Sequence, residues 1–224
     1  TEASAKLVGE GMTRLIFDLR DNTGGYLDQA LLLSDMFLRK GDEIVYMQGL
    51  HRKKDNYKAD GKGLLQDIDL TVLINESTAS SSEIFAGAIQ DNDRGLIIGR
   101  RSFGKGLVQE PVYFSDGSGV RLTVARFYTP SGRCIQKPYE KGKKEDYDSD
   151  LNTRYEHGEL TCIDSIHLDS TKVYRTLVKG RTVYGGGGIM PDEFVPLDTT
   201  TYSKYYIAIR RHNLINDYAL RYVD

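Results

Sequence analysis

A chain of 224 residues with 30 basic against 32 acidic side chains has a net charge of only −2. That length suits one large or two small domains and can bury a core without disulfide staples. The charge balance leaves no electrostatic footprint for nucleic acid or for a lipid surface.

The opening "TEASAKLVGEGM" has no signal peptide and reads as the middle of an element, so the chain is expected to be part of a longer protein. No run of about 18 apolar residues is long enough to cross a bilayer, so any membrane contact would come from segments outside this chain. "RLIFDLRDNTGG" (14–25) reads as a buried strand ending in a glycine turn, and "YLDQALLLSDMFLRKG" follows with apolar residues at helical spacing and a stop at Gly41. "EIVYMQ" is a short strand and "HRKKDNYKADGKG" a charged loop or hairpin tip. "LTVLIN" is a continuous apolar run of the kind covered on both faces. "SSEIFAGAIQD" is helical by period, and "RGLIIG" is a third buried strand. This alternation argues for a mainly parallel sheet with crossover helices.

Beyond it, "GLVQEPVYF" and "GVRLTVARFYTP" read as two strands joined by a turn at "SDGSG". Residues 137–179 are polar, tyrosine-rich and weakly periodic, and are expected to be an insertion with a few short strands. "YGGGGIMPDEFVPLD" reads as an ordered loop and "YSKYYIAIRRHNLINDYALRYV" as one or two closing helices. The cysteines, Cys134 and Cys162, fit one disulfide or none.

The stretch "INESTASSSEIFAGAIQDNDRG" (74–95) sets five hydroxyl residues before a helical pattern. Ser80 and Glu83 fit a capping box, a purely structural role. The same position, after a buried strand and at the positive end of a helix, also suits a nucleophile, which then needs a base. His51, His157, His167 and His212 lie in charged, polar or terminal segments. They read as surface histidines, which leaves a Ser-His-Asp triad little support. The alternative base is Lys105, between Gly104 and Gly106 in "GRRSFGKGLVQ". A surface lysine in a flexible turn is the plain reading. Against it, the apolar flanks suggest a buried amine, and burial favours the uncharged form that a base requires. Gly99 to Lys105 also matches the start of a phosphate-binding loop, but Gly106 stands where Ser or Thr is needed and a strand follows instead of a helix. Gly24 and Gly25 are either a plain turn or a source of backbone N–H groups for an oxyanion.

Four stretches together resemble the C-terminal processing peptidases, or tail-specific proteases, which are serine–lysine enzymes. These are "LIFDLRDNTGG", "NESTASSSEIFAGAIQD", "GLIIGRRSFGKGLVQ" and "YTPSGRCIQ" with the later "GIMPD". The resemblance implies that Ser80 is the nucleophile and Lys105 the general base, with Gln109 orienting the amine. It places the oxyanion site at Gly24, Gly25 and the N–H of Ser81, and Glu83 and Asp91 in support. It also implies a Clp protease/crotonase-like α/β core with additional β strands, formed by residues 1–136 and 180–224 and interrupted by the insertion at 137–179. No metal or cofactor is implied. Expected partners are polypeptides recognised by unstructured, apolar C-terminal tails, and the expected location is the bacterial cell envelope, periplasmic or membrane-anchored.

The sequence departs from the family pattern in places. Thr23 replaces a common proline, Cys134 a common serine, and the PDZ domain that usually precedes this region is not in the sequence. The insertion resembles those of the Bacteroidetes branch. A rival reading is a non-catalytic peptide- or ligand-binding module on the same fold, which would be expected to have lost Ser80, Lys105 or both. An acyl-CoA enzyme of the crotonase type would require neither.

Overall fold

The computed structural model describes residues 2–139, 142–200 and 203–223. After helix α1 (Glu2–Gly9) come strand β1 (Arg14–Asp18), α2 (Leu27–Asp35), β2 (Glu43–Gln48), β3 (Asp55–Lys58), β4 (Asp69–Ile74), α3 (Ser81–Asp91) and β5 (Leu96–Gly99). The hairpin β6 (Leu107–Tyr113) and β7 (Gly119–Tyr128) follows, then α4 (Lys144–Glu156), β8 (Val173–Arg175), β9 (Thr182–Tyr184), β10 (Glu193–Phe194), α5 (Lys204–Arg211) and α6 (Leu214–Val223).

The apolar runs β1, β4 and β5 form a parallel sheet in the order β1-β4-β5-β10. Crossover helices α2 and α3 pack on it, as parallel connections require. Phe17 of β1, Phe37 after α2 and Phe85 of α3 meet with ring centroids 5.3–6.3 Å apart. Around them Val72, Ile74, Ile89 and Ile97 are fully buried. The strand "EIVYMQ" leaves this sheet. As β2 it joins an antiparallel sheet in the order β3-β2-β7-β6. The charged segment before β4 supplies its hairpin partner β3. The fold is thus the mixed α/β core expected, with the alternating strands divided between two sheets.

The hairpin β6–β7 forms as read. A bulge at Val108/Gln109 interrupts its ladder, and Pro111, which cannot donate to a neighbour, lies on the edge strand β6. The segment 137–179 differs from its expectation of a few short strands. Its main element is the 13-residue helix α4, with a short 3-10 turn at Ile163–Ser165 and the single strand β8. Helix α4 is polar all round and buries only Arg154, so no apolar period announces it. The chain closes with two helices. Cys134 and Cys162 are both free thiols.

Candidate active site

Strand β4 ends at Ile74, and the segment that follows is fastened by its own side chains. The Asn75 N–H donates to the Thr78 hydroxyl (2.9 Å), which donates to the Leu19 carbonyl (2.8 Å). The Asn75 amide oxygen accepts from the N–H groups of Asp21 (3.0 Å) and Ser77 (3.1 Å). Ser80 then takes φ 61° and ψ −121° at the mouth of α3. L residues seldom occupy this region, and holding one there costs about 1–3 kcal/mol. The Ser80 N–H donates to Glu83 Oε2 (2.8 Å), so the glutamate half of the cap is formed. The Glu83 N–H goes to the Ser80 backbone carbonyl (2.9 Å). Ser80 is half-buried at the positive end of the helix.

The glycine turn is stitched to the same helix mouth. The Ala79 N–H donates to the Asn22 carbonyl (3.0 Å) and the Ser82 hydroxyl to Asn22 Oδ1 (2.8 Å). Gly24, at φ +79°, sits so close that a Cβ would lie 2.5 Å from the Ala79 carbonyl oxygen and 2.7 Å from the Ser81 nitrogen. Only glycine fits. The Gly24 N–H donates to Asn22 Oδ1 (3.0 Å) and the Gly25 N–H to the Ser81 hydroxyl (2.7 Å). Both glycine donors are therefore engaged within the chain.

Glu83 joins this half of the site to the other. Its fully buried carboxylate accepts four hydrogen bonds. Oε2 takes the N–H groups of Ser80 and Lys105 (each 2.8 Å), and Oε1 takes the Gly104 N–H (2.6 Å) and the Ser102 hydroxyl (2.5 Å). Burial pushes this carboxyl above the ordinary carboxylate range, while the Ser102 hydroxyl and the three backbone donors pull it back. Ser102 in turn accepts from the Ile189 N–H (2.6 Å), which brings in the end of the glycine-rich loop.

The Lys105 side chain is exposed, contrary to the burial its apolar flanks suggest. The flanking glycines are the buried part, because their backbones pack on Lys137, Gln136 and Ile135 and leave no room for side chains. The backbone of Lys105 is fixed and its amine is open. Gln109, just past the bulge on the edge strand, is exposed as well. Asp91 stands at the far end of the 11-residue α3, about 15 Å of helix rise from Ser80. There it is buried against Arg133 and accepts from the Ser131 N–H (3.0 Å). The structure therefore gathers Ser80, Ser81, Gly24, Gly25, Glu83 and the backbone of Lys105, and sets Asp91 elsewhere.

All four histidines are exposed. Among the described residues no three His, Cys, Asp or Glu side chains group to hold a metal ion. Sequence reading missed Ser102, Asn22 and Gln136, whose amide oxygen accepts the Gly106 N–H (2.9 Å). Each is a polar residue next to a motif, and nothing local marks its partner.

Strand order, the strained serine and the carboxylate that joins it to the lysine turn define an α/β core of the Clp protease/crotonase type. The chain belongs to peptidase family S41, whose family model matches residues 1–149. It is 44% identical over 138 residues to the chloroplastic C-terminal processing peptidase of Tetradesmus obliquus, covering 61% of this chain and 29% of that protein. The carboxy-terminal-processing protease of Bartonella bacilliformis is also 44% identical, over 137 residues, covering 60% of this chain and 31% of that one. The solved structure of a photosystem II D1 C-terminal processing protease superposes with a TM-score of 0.57 at 42% identity, covering 60% of this chain and 35% of that chain. The chain thus spans about a third of the length of these relatives.

Proposed function

We propose that the protein is a serine endopeptidase that cleaves polypeptides with unstructured, apolar C-terminal tails, using Ser80 and Lys105. The observation that carries this reading is the Glu83 carboxylate, which binds the backbone N–H of both residues and so sets nucleophile and base in one frame. The Ser80 oxygen attacks the scissile carbonyl while the Lys105 amine takes its proton. The negative charge that develops on the substrate oxygen is met by the N–H groups of Ser81 and the glycine turn. The Ser81 hydroxyl holds the Gly25 donor until that oxygen replaces it. The C–N bond then breaks as Lys105 returns the proton to the leaving amine. Water, deprotonated by the same lysine, releases the acyl group. Gln109 orients the amine. Glu83 keeps both backbones in place.

Family membership and relatives named as C-terminal processing proteases support this reading. The same resemblance favours the bacterial cell envelope as location, with any membrane contact through segments outside this chain.

The test incubates the full-length protein and its Ser80→Ala variant with an unfolded polypeptide bearing an apolar tail. Fragments should appear with the parent and be lost in the variant. Tail capture without cleavage by either would mark a binding module on the same fold and end the peptidase reading.

A further inference from the structure

Helix α4 and the residues around it carry buried charge that the chemistry above does not use. Arg154 is 5% exposed. Its guanidinium donates to the backbone carbonyls of Arg101 (2.7 Å) and Ser102 (3.1 Å), and its Nε donates to Glu159 Oε1 (2.9 Å). Glu159 also receives both nitrogens of a fork from Arg101, each at 2.7 Å. A second anchor lies beside the first. Buried Lys137 places its amine between the rings of Phe103 (4.3 Å) and Tyr147 (4.2 Å) and donates to the Tyr147 carbonyl (2.9 Å) and Asp150 (3.2 Å). The Lys137 N–H also donates to the Gly104 carbonyl (2.9 Å). Every one of these bonds ends on the turn 101–105 or on what holds it. Arg154 and Glu159 lie beyond residue 149, where the match to the family ends.

We infer that the segment 137–179 is a positioning clamp for the lysine turn: Arg154, held by Glu159, fixes the carbonyls of Arg101 and Ser102 and thereby the place from which Lys105 reaches Ser80. A planar guanidinium satisfies two successive carbonyls and a carboxylate at once, which a lysine cannot do. The clamp holds the turn by its carbonyls, and Glu83 holds it by the Ser102 hydroxyl and the N–H groups of Gly104 and Lys105. Arg154 and Glu159 are positioning residues and touch no substrate. Only the kinetic part of this inference rests on the peptidase reading.

The test compares Arg154→Met, Arg154→Lys and Glu159→Gln in the full-length protein. Amide hydrogen exchange is read at residues 102–106, whose N–H groups are all bonded in the structure. In Arg154→Met, exchange there should rise by about tenfold while the β4 amides keep their rates. Turnover of the tailed polypeptide should fall by roughly ten- to a hundredfold in kcat with little change in KM. Arg154→Lys should be intermediate on both measures. Unchanged exchange at 102–106 in both Arg154→Met and Glu159→Gln would overturn the clamp, as would faster exchange with kcat intact. Should Arg154→Met fail to fold, Arg154→Lys and Glu159→Gln give the same readouts. A parent that cleaves nothing would end the peptidase reading, and the exchange measurement would still decide the clamp.

Discussion

Ser80 holds a backbone conformation that costs stability and keeps it because the residues around it leave no alternative. Its N–H is bound by Glu83, its carbonyl receives the first helical N–H groups, and Ala79 before it is bonded to Asn22. Such strain at the start of a helix makes sense where a hydroxyl has to be presented, and a plain cap would not need it. Ser80→Gly should therefore raise stability by about 1–3 kcal/mol, because glycine accepts φ 61° freely, while abolishing turnover. Ser80→Ala should abolish turnover without that gain. Thermal denaturation of the two variants side by side checks this, and equal melting temperatures would remove the argument from strain. Ser80, Lys105 and the glycine pair could be picked out as candidates because each follows a buried apolar run, but only the resemblance to the peptidases gave them roles. The double bonding of Glu83 was not legible. Its link to Ser80 is three residues long, but its links to Ser102, Gly104 and Lys105 span about twenty positions and leave no local pattern.

At the level of elements, the Arg154–Glu159 anchor of the lysine turn responds to acid. Burial raises the affinity of Glu159 for a proton, but the fork from Arg101 and the contact with Arg154 outweigh it and hold this carboxyl below its ordinary value of 4.5. A group lowered in the folded state contributes stability above its unfolded pKa and loses it as pH falls through the folded one. The docking of α4 should therefore persist at neutral pH and weaken below about pH 4.5. The stability difference between the parent and Glu159→Gln should be largest near pH 7 and shrink toward pH 3, as denaturant titrations at several pH values would show. A difference independent of pH would mean that the carboxylate charge does not hold the helix. None of this was legible in residues 144–156, where "KEDYDSDLNTRYE" offers a solvated face in every direction and nothing distinguishes Arg154 from the other charges. Pattern alone likewise misplaced one strand and missed another, which lies in a stretch read as a loop. β2 has the apolar content of a core strand but pairs antiparallel with β7, and β10 is only two residues long.

At the scale of the whole molecule, the two four-stranded sheets are joined through α3, with the pair β8-β9 forming a small third sheet. The buried pair of Asp91 and Arg133 links the end of that helix to the turn after β7, with Gln90 accepting from Arg133 as well (2.9 Å). Removing one charge would leave the other buried and unpaired. Asp91→Asn should cost about 3–5 kcal/mol, which for a chain of this size lowers the melting temperature by roughly 6–20 °C. A melting temperature within about 2 °C of the parent would show the pair to be dispensable. The same division of the molecule bears on its birth. The four donors that converge on Glu83 come from two stretches of chain, one after β4 and one after β5, which the pairing of those strands brings together. A copy in which β5 has not paired with β4 therefore lacks the frame that holds Ser80 and the lysine turn together, and with it whatever chemistry that frame serves.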